Sequence, residues 1–120
     1  MKKKILYFNN LKFQKKTLEI LKKKFNLIPS DKLKKNDYKY IVSVLLPMDN
    51  FYTKEFFTKF KNLRSVVTPT TGDIHLDKIF LKKKGIKIFN LANQKNNLNN
   101  ITSTSELTIG HILNLTRKIF

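Results

Sequence analysis

Tyr40-Ile41-Val42-Ser43-Val44-Leu45-Leu46-Pro47 is an almost unbroken run of β-branched and aliphatic residues stopped by a proline. It is too short for a buried helix and the right length for a strand covered on both faces. Strands of that kind belong to parallel sheets flanked by helices. On either side the signature recurs in weaker form. Residues 5–8 make a short apolar run between Lys4 and Asn9-Asn10, and residues 26–28, 65–68 and 86–89 read as further strands.

Helical patterns lie between these runs. Asn9 or Asn10 is suited to cap a helix over 11–25, in which Leu18, Leu21 and Phe25 recur at helical spacing among lysines. Asp49 or Thr53 opens a second helix, whose Phe56, Phe57 and Phe60 can cover the sheet. A third spans 76–84 and ends at Gly85, a residue suited to the left-handed position that follows a helix. Residues 30–39 read as a charged loop and Pro69-Thr70-Thr71-Gly72 as a turn.

This alternation needs crossover connections, which are right-handed. The predicted fold is therefore α/β, a flavodoxin-like parallel sheet with helices on both faces. Ligands of such sheets settle outside the carboxyl ends of the strands, here at residues 46–49 and 70–73. Beyond Asn90, the polar residues 92–100 are expected to be irregular. Ser103 and Glu106 then have the spacing of a capping box opening a helix over 104–119. Its Ile109, Ile112, Leu113, Leu115, Ile119 and Phe120 fill an arc of roughly 160° at about 100° per residue. An arc that broad wants more than one partner surface.

Composition bounds the function. The 120 residues suffice for one domain, and 41% apolar residues supply a core despite a net charge of +17. The absence of cysteine excludes disulfides, thiolate metal sites and cysteine nucleophiles. Residues 5–8 are too short for a signal-peptide core, and no stretch reaches the roughly 18 apolar residues of a membrane span, so a cytoplasmic chain without membrane contact is expected. The charge invites a nucleic-acid reading through counterion release. Yet Arg64 and Arg117 are the only arginines, and lysine is the poorer residue for bidentate recognition. Lys, Asn, Ile and Phe, all abundant here, share A/T-only codons, so solvated helix faces explain the lysines and a Lys-rich nucleic-acid binder remains the weaker alternative.

Three segments are less generic: Thr68-Pro69-Thr70-Thr71-Gly72-Asp73-Ile74-His75-Leu76-Asp77, Lys84-Gly85-Ile86-Lys87-Ile88-Phe89-Asn90, and the run from Ser103-Thr104-Ser105-Glu106-Leu107 through Gly110 and Leu113-Asn114-Leu115 to Arg117. Together, in this order and at these separations, they resemble the N-terminal domain of the D-isomer specific 2-hydroxyacid dehydrogenases, in the subgroup similar to D-3-phosphoglycerate dehydrogenase and glyoxylate/hydroxypyruvate reductase. The likeness is close over residues 63–119 and loose elsewhere. It implies a flavodoxin-like substrate domain over 1–101, incomplete here, and a hinge helix over 102–120 leading to a nucleotide-binding domain. It also implies that the amides at Thr71, Gly72 and Asp73 bind the carboxylate of a 2-hydroxy or 2-oxo acid, with Thr71 beside the nicotinamide. Consecutive amides at a strand-to-helix turn do form an anion-binding concavity. The plainer alternative is that Gly72 only makes the turn.

The departures from the family are as informative. Its substrate-binding Arg, its His general acid/base and the Glu that orients this His all fall beyond residue 120 in a full-length member, and Gly72, Gly85 and Gly110 make no G-x-G-x-x-G pattern. The cofactor, NAD or NADP, is thus expected only with the missing domain, and no catalytic residue or metal ligand is assigned to this chain. His75 and His111 are expected at the surface or an interface, Arg117 in a structural contact, and Glu106 as a cap. The returning C-terminal segment that completes the family's substrate domain is also missing, so one layer of the sheet is expected to lie uncovered. The leading expectation is the substrate portion of an NAD-dependent dehydrogenase, inactive alone, separated from its other half by a split gene, frameshift or incomplete reading frame. A homodimer or a complementing chain with a Rossmann domain is its expected partner. The alternative is a stand-alone anion-binding or dimerisation module.

Overall fold

The run that anchors the sequence reading becomes the middle of a five-stranded sheet. The computed structural model describes residues 3–92 and 94–117; Ile119 and Phe120, named above on the last helix, lie outside them. The strands are β1 (Lys4–Tyr7), β2 (Asn26–Pro29), β3 (Ile41–Leu45), β4 (Ser65–Val67) and β5 (Lys87–Phe89). All pairings are parallel and the spatial order is β2-β1-β3-β4-β5, the flavodoxin-like arrangement.

Register explains the core. Ile28, Leu6, Val44, Val66 and Ile88 stand opposite one another across the five strands, so one apolar row crosses the whole sheet. Against this face pack α2 (Lys54–Phe57), the turns after it, and α3 (Lys78–Lys83), burying Phe57, Phe60, Leu63 and Leu81 with Leu6, Val44 and Val66. Fully burying a side chain of this size contributes roughly 1.5–3 kcal/mol, so this layer carries most of the apolar stabilisation. On the opposite face the row Leu27, Ile5, Ser43, Ser65, Lys87 turns polar toward β5, and the Ser65 hydroxyl donates to that of Ser43 at 2.9 Å. That side is where the right-handed crossover from β1 to β2 puts α1 (Lys15–Lys24), whose Leu18 and Leu21 are only half-buried.

Several local expectations are corrected. The first helix starts at Lys15, not Leu11, because Asn9–Leu11 forms a 3₁₀ turn closed by Lys12 at φ 45°. Neither Asn9 nor Asn10 caps it. The loop 30–39 contains two 3₁₀ segments, Ser30–Lys32 and Lys35–Tyr40, the second taking Tyr40 out of β3. It is fastened to β1 by the Lys4 ammonium, which donates to the Asp37 carboxylate at 2.7 Å and holds that carboxyl below its ordinary range. The second helix is one turn long, with Thr53 rather than Asp49 before it. Within the polar stretch 92–100, α4 (Lys95–Leu98) makes one helical turn where irregular chain was expected. Gly85 does occupy the left-handed region, at φ 69°.

The last helix, α5 (Ser103–Arg117), is present, and starts at its expected cap, one residue earlier than predicted. Thr102 takes the capping place: its hydroxyl donates to the Glu106 carboxylate, and its carbonyl accepts from the Glu106 amide. Every described apolar residue of α5 is exposed, Leu113 least at 45% and Leu115 most at 81%. Among the described residues no helix is long and apolar enough to cross a membrane.

Candidate functional site

Parallel strands place all their carboxyl ends at one edge of the sheet. The turn 69–74 leaves β4, next to the central strand, and is held by its neighbours. The Thr68 amide donates to the Phe89 carbonyl at 2.9 Å and the Leu91 amide to the Thr70 carbonyl at 2.9 Å, tying the turn to the end of β5. On the other side, Tyr52 forms a parallel bridge to Leu76: its amide donates to the His75 carbonyl at 2.8 Å, and its carbonyl accepts from the Asp77 amide at 3.1 Å. Asp77 then caps α3 by accepting from the Phe80 amide at 3.0 Å. Both flanks of the turn are therefore fixed by backbone pairing.

Between those anchors the main chain is open. Among the described residues, the amides from Thr70 through His75, those of Thr71, Gly72 and Asp73 included, donate to no hydrogen bond. Thr71 and Gly72 are exposed and Asp73 is half-buried. A Cβ built on Gly72 would meet nothing within 4 Å, and Gly72 is not in the left-handed region. Glycine is thus not demanded by the turn's own sterics or dihedral angles. At this exposed position it leaves open the space that a side chain would occupy. Consecutive free donors beside open space can receive a carboxylate or another oxyanion. The Asp73 side chain, whose charge would oppose an anion, is paired with the Lys78 ammonium at 2.9 Å.

Beneath the turn sits the residue that sequence reasoning misplaced. His75 is 3% exposed, not a surface histidine. Its ring lies edge-on to Tyr52, with centroids 6.3 Å apart, and its Nε2 is 3.1 Å from the Thr68 hydroxyl. Nδ1 is buried and without a partner among the described residues. Burial pushes the imidazole below its ordinary pKa, with the Asp73 carboxylate opposing, so the ring is neutral at pH 7. The alternation of Val66 and Thr68 on the buried side of β4 was the available signal that something polar had to meet Thr68 there. His111, by contrast, is exposed on α5 as expected.

The Tyr52 hydroxyl donates to Asp49 at 3.2 Å, and Asn10 donates to the same carboxylate, so the loops after β1 and β3 are linked. Burial, followed by the nearby Asp49 charge, raises the Tyr52 phenol well above its ordinary value and keeps it a neutral donor. Beside the turn, an apolar hollow of about 200 Å³ opens on the thinly covered face, lined by Phe13, Leu45, Val67, Pro69, Phe89 and Leu91 among others. Among the described residues no group of three or more His, Cys, Asp or Glu stands together as a metal site.

No family model matches the chain, and no curated protein matches it. Solved structures do. The PH0520 protein of Pyrococcus horikoshii OT3 is 22% identical over 99% of this chain and 35% of its own, with a TM-score of 0.68. A 2-hydroxyacid dehydrogenase from Ketogulonicigenium vulgare Y25 is 15% identical over 73% of this chain and 29% of its own, at 0.63. The D-lactate dehydrogenase of Aquifex aeolicus, solved with NAD and lactic acid, is 20% identical over 72% of this chain and 27% of its own, at 0.58. At these identities the likeness is one of fold. The chain spans between 27% and 35% of the length of these three proteins.

Proposed function

We propose that this chain is the substrate-binding portion of an NAD-dependent D-2-hydroxyacid dehydrogenase. Its Thr71, Gly72 and Asp73 amides receive the carboxylate of a 2-hydroxy or 2-oxo acid. The observation that carries the reading is the run of unbonded amides through Thr71, Gly72 and Asp73, beside an unobstructed glycine, at the carboxyl edge of a 2-1-3-4-5 parallel sheet. Supporting it are the three motif segments and the dehydrogenases among the structures of similar fold.

In such a reaction NAD supplies a nicotinamide that exchanges a hydride with C2 of the acid, while the hydroxyl proton passes to a base. The residues here serve only part of that chemistry. The amides of the turn hold the carboxylate and so fix where C2 lies. Thr71, exposed at the rim, suits contact with one edge of the nicotinamide. The three glycines of the chain form no pattern able to cradle dinucleotide phosphates. The Arg, His and Glu of the reaction, with most of the cofactor's contacts, are assigned to the remainder of the enzyme. In this reading residues 1–101 are the substrate domain, and α5, with its exposed apolar side chains, is the hinge where a nucleotide-binding domain packs.

The test is NADH oxidation with pyruvate, glyoxylate or hydroxypyruvate. The chain alone is expected to give no turnover, whereas supplying a dehydrogenase nucleotide-binding domain, mixed or fused after α5, is expected to give NADH loss. Steady turnover by the chain alone would overturn the division of labour. Pyruvate binding without recovery in the fusion would favour a stand-alone carboxylate-binding module.

A further inference from the structure

From the buried imidazole a chain of hydrogen bonds leads to the turn. His75 Nε2 lies 3.1 Å from Thr68 Oγ1, Thr68 Oγ1 lies 3.0 Å from Thr70 Oγ1, and Thr70 Oγ1 lies 2.6 Å from the Gly72 carbonyl oxygen. Each hydroxyl carries one proton, and a carbonyl oxygen can only accept. The direction of every link is therefore fixed from the far end. Thr70 spends its proton on Gly72 and must accept from Thr68. Thr68, its proton spent, must accept from His75. The imidazole must then carry its proton on Nε2, leaving Nδ1 a bare lone pair, and Nδ1 is the atom buried without a partner. With the opposite tautomer two groups would face each other across the His75–Thr68 contact with no proton between them, and an N–H would be stranded in the core at the cost of an unmet buried donor.

We infer that His75 is a positioning residue, which orients the Asp73 amide through the relay His75 Nε2–H to Thr68 to Thr70 to the Gly72 carbonyl. The inference rests on the carboxylate-binding reading of that turn. The burial gradient supports it: His75 and Thr68 are 3% and 1% exposed, Thr70 is half-buried, and Gly72 is exposed. The relay thus connects a rigid interior to a part of the turn whose amides make no hydrogen bond of their own. Pulling on the Gly72 carbonyl sets the rotation of the peptide plane between Gly72 and Asp73. The Asp73 amide belongs to that plane.

The test uses the isotope-labelled 120-residue chain near neutral pH, with pyruvate as probe. Ring nitrogen shifts of His75, distinguished from His111 by a His111→Gln variant, are expected to show the Nε2–H tautomer together with slowly exchanging Thr68 and Thr70 hydroxyl protons. An Nδ1–H tautomer overturns the relay. Thr70→Val is expected to move the His75 ring signals and to weaken pyruvate binding about fivefold, the worth of one neutral hydrogen bond, while Thr70→Ser stays within about twofold of the parent. His75→Leu should match Thr70→Val; if it does not fold, Thr70→Val breaks the same relay at its half-buried link. Equal pyruvate affinity in Thr70→Val and parent overturns the relay and leaves the turn's role standing. The expected tautomer and ring response with no pyruvate binding in the parent leaves the relay standing and removes the carboxylate reading.

Discussion

Replacing Gly72 with alanine separates the needs of the fold from those of the site. The added Cβ meets no atom within 4 Å and the backbone there is not left-handed, so the folded state accommodates it without strain. Removing a glycine from the unfolded ensemble at such a position stabilises a protein by about 0.4–1 kcal/mol. The methyl group nevertheless enters the space through which a carboxylate reaches the neighbouring amides. Loss of one hydrogen bond to a charged group costs about 1.5–3 kcal/mol, a tenfold or larger rise in Kd. Two measurements on one sample decide it: the urea midpoint with its slope, and a pyruvate titration followed by amide shifts. The expected outcome is an unchanged or raised midpoint with binding weakened at least about tenfold. A variant destabilised by more than about 1 kcal/mol refutes the open space over Gly72, and one that binds pyruvate as well as the parent refutes its purpose.

Other expectations follow from the same structure. Leu81→Ala, at a fully buried position against the sheet, should cost about 2–5 kcal/mol in urea unfolding, whereas Ile112→Glu with Leu113→Glu on the exposed side of α5 should stay within about 0.5 kcal/mol; a large loss in the latter would mean that α5 packs on the sheet. The depressed His75 pKa means that the unfolded chain binds the proton more readily. Stability is therefore full above the ordinary value of 6.5 and falls as pH drops from there toward the lower folded pKa. The urea midpoint should decline through this window and His75→Gln should flatten the decline; an equal decline in the variant would assign it to other groups. Lys4→Met should return the Asp37 carboxyl toward its ordinary range in an NMR titration, and no movement would mean that the Lys4 contact does not hold in solution.

Much of the fold was legible because its signals are local. The β-branched run at residues 41–45, the phenylalanines 57 and 60, and the helix stop at Gly85 each act through pattern or backbone preference, and right-handed crossover then restricts the order of strands. What escaped depends on contacts across the chain. Lys12 turns left-handed and delays α1, so Asn9-Asn10 opens a 3₁₀ turn instead of capping a helix. Thr102 competes with Ser103 for one capping role, and adjacent hydroxyl residues give no local reason to choose. His75 looked like a polar residue at a helix start. Its burial comes from Thr68 just past β4 and Tyr52 on a distant loop, partners that become neighbours only once β3 and β4 pair. The turn 71–73 was singled out by motif, but the open space over Gly72 and the relay behind it are properties of the assembled sheet.

The most direct measurement of the central claim is a pyruvate titration of the unmodified, ¹⁵N-labelled chain, repeated with added sodium chloride. The expected result is that the amides of Thr71, Gly72 and Asp73 shift together and saturate at both salt levels. The contradicting result is that these signals stay still while lysine-rich faces respond diffusely and lose that response as salt is raised.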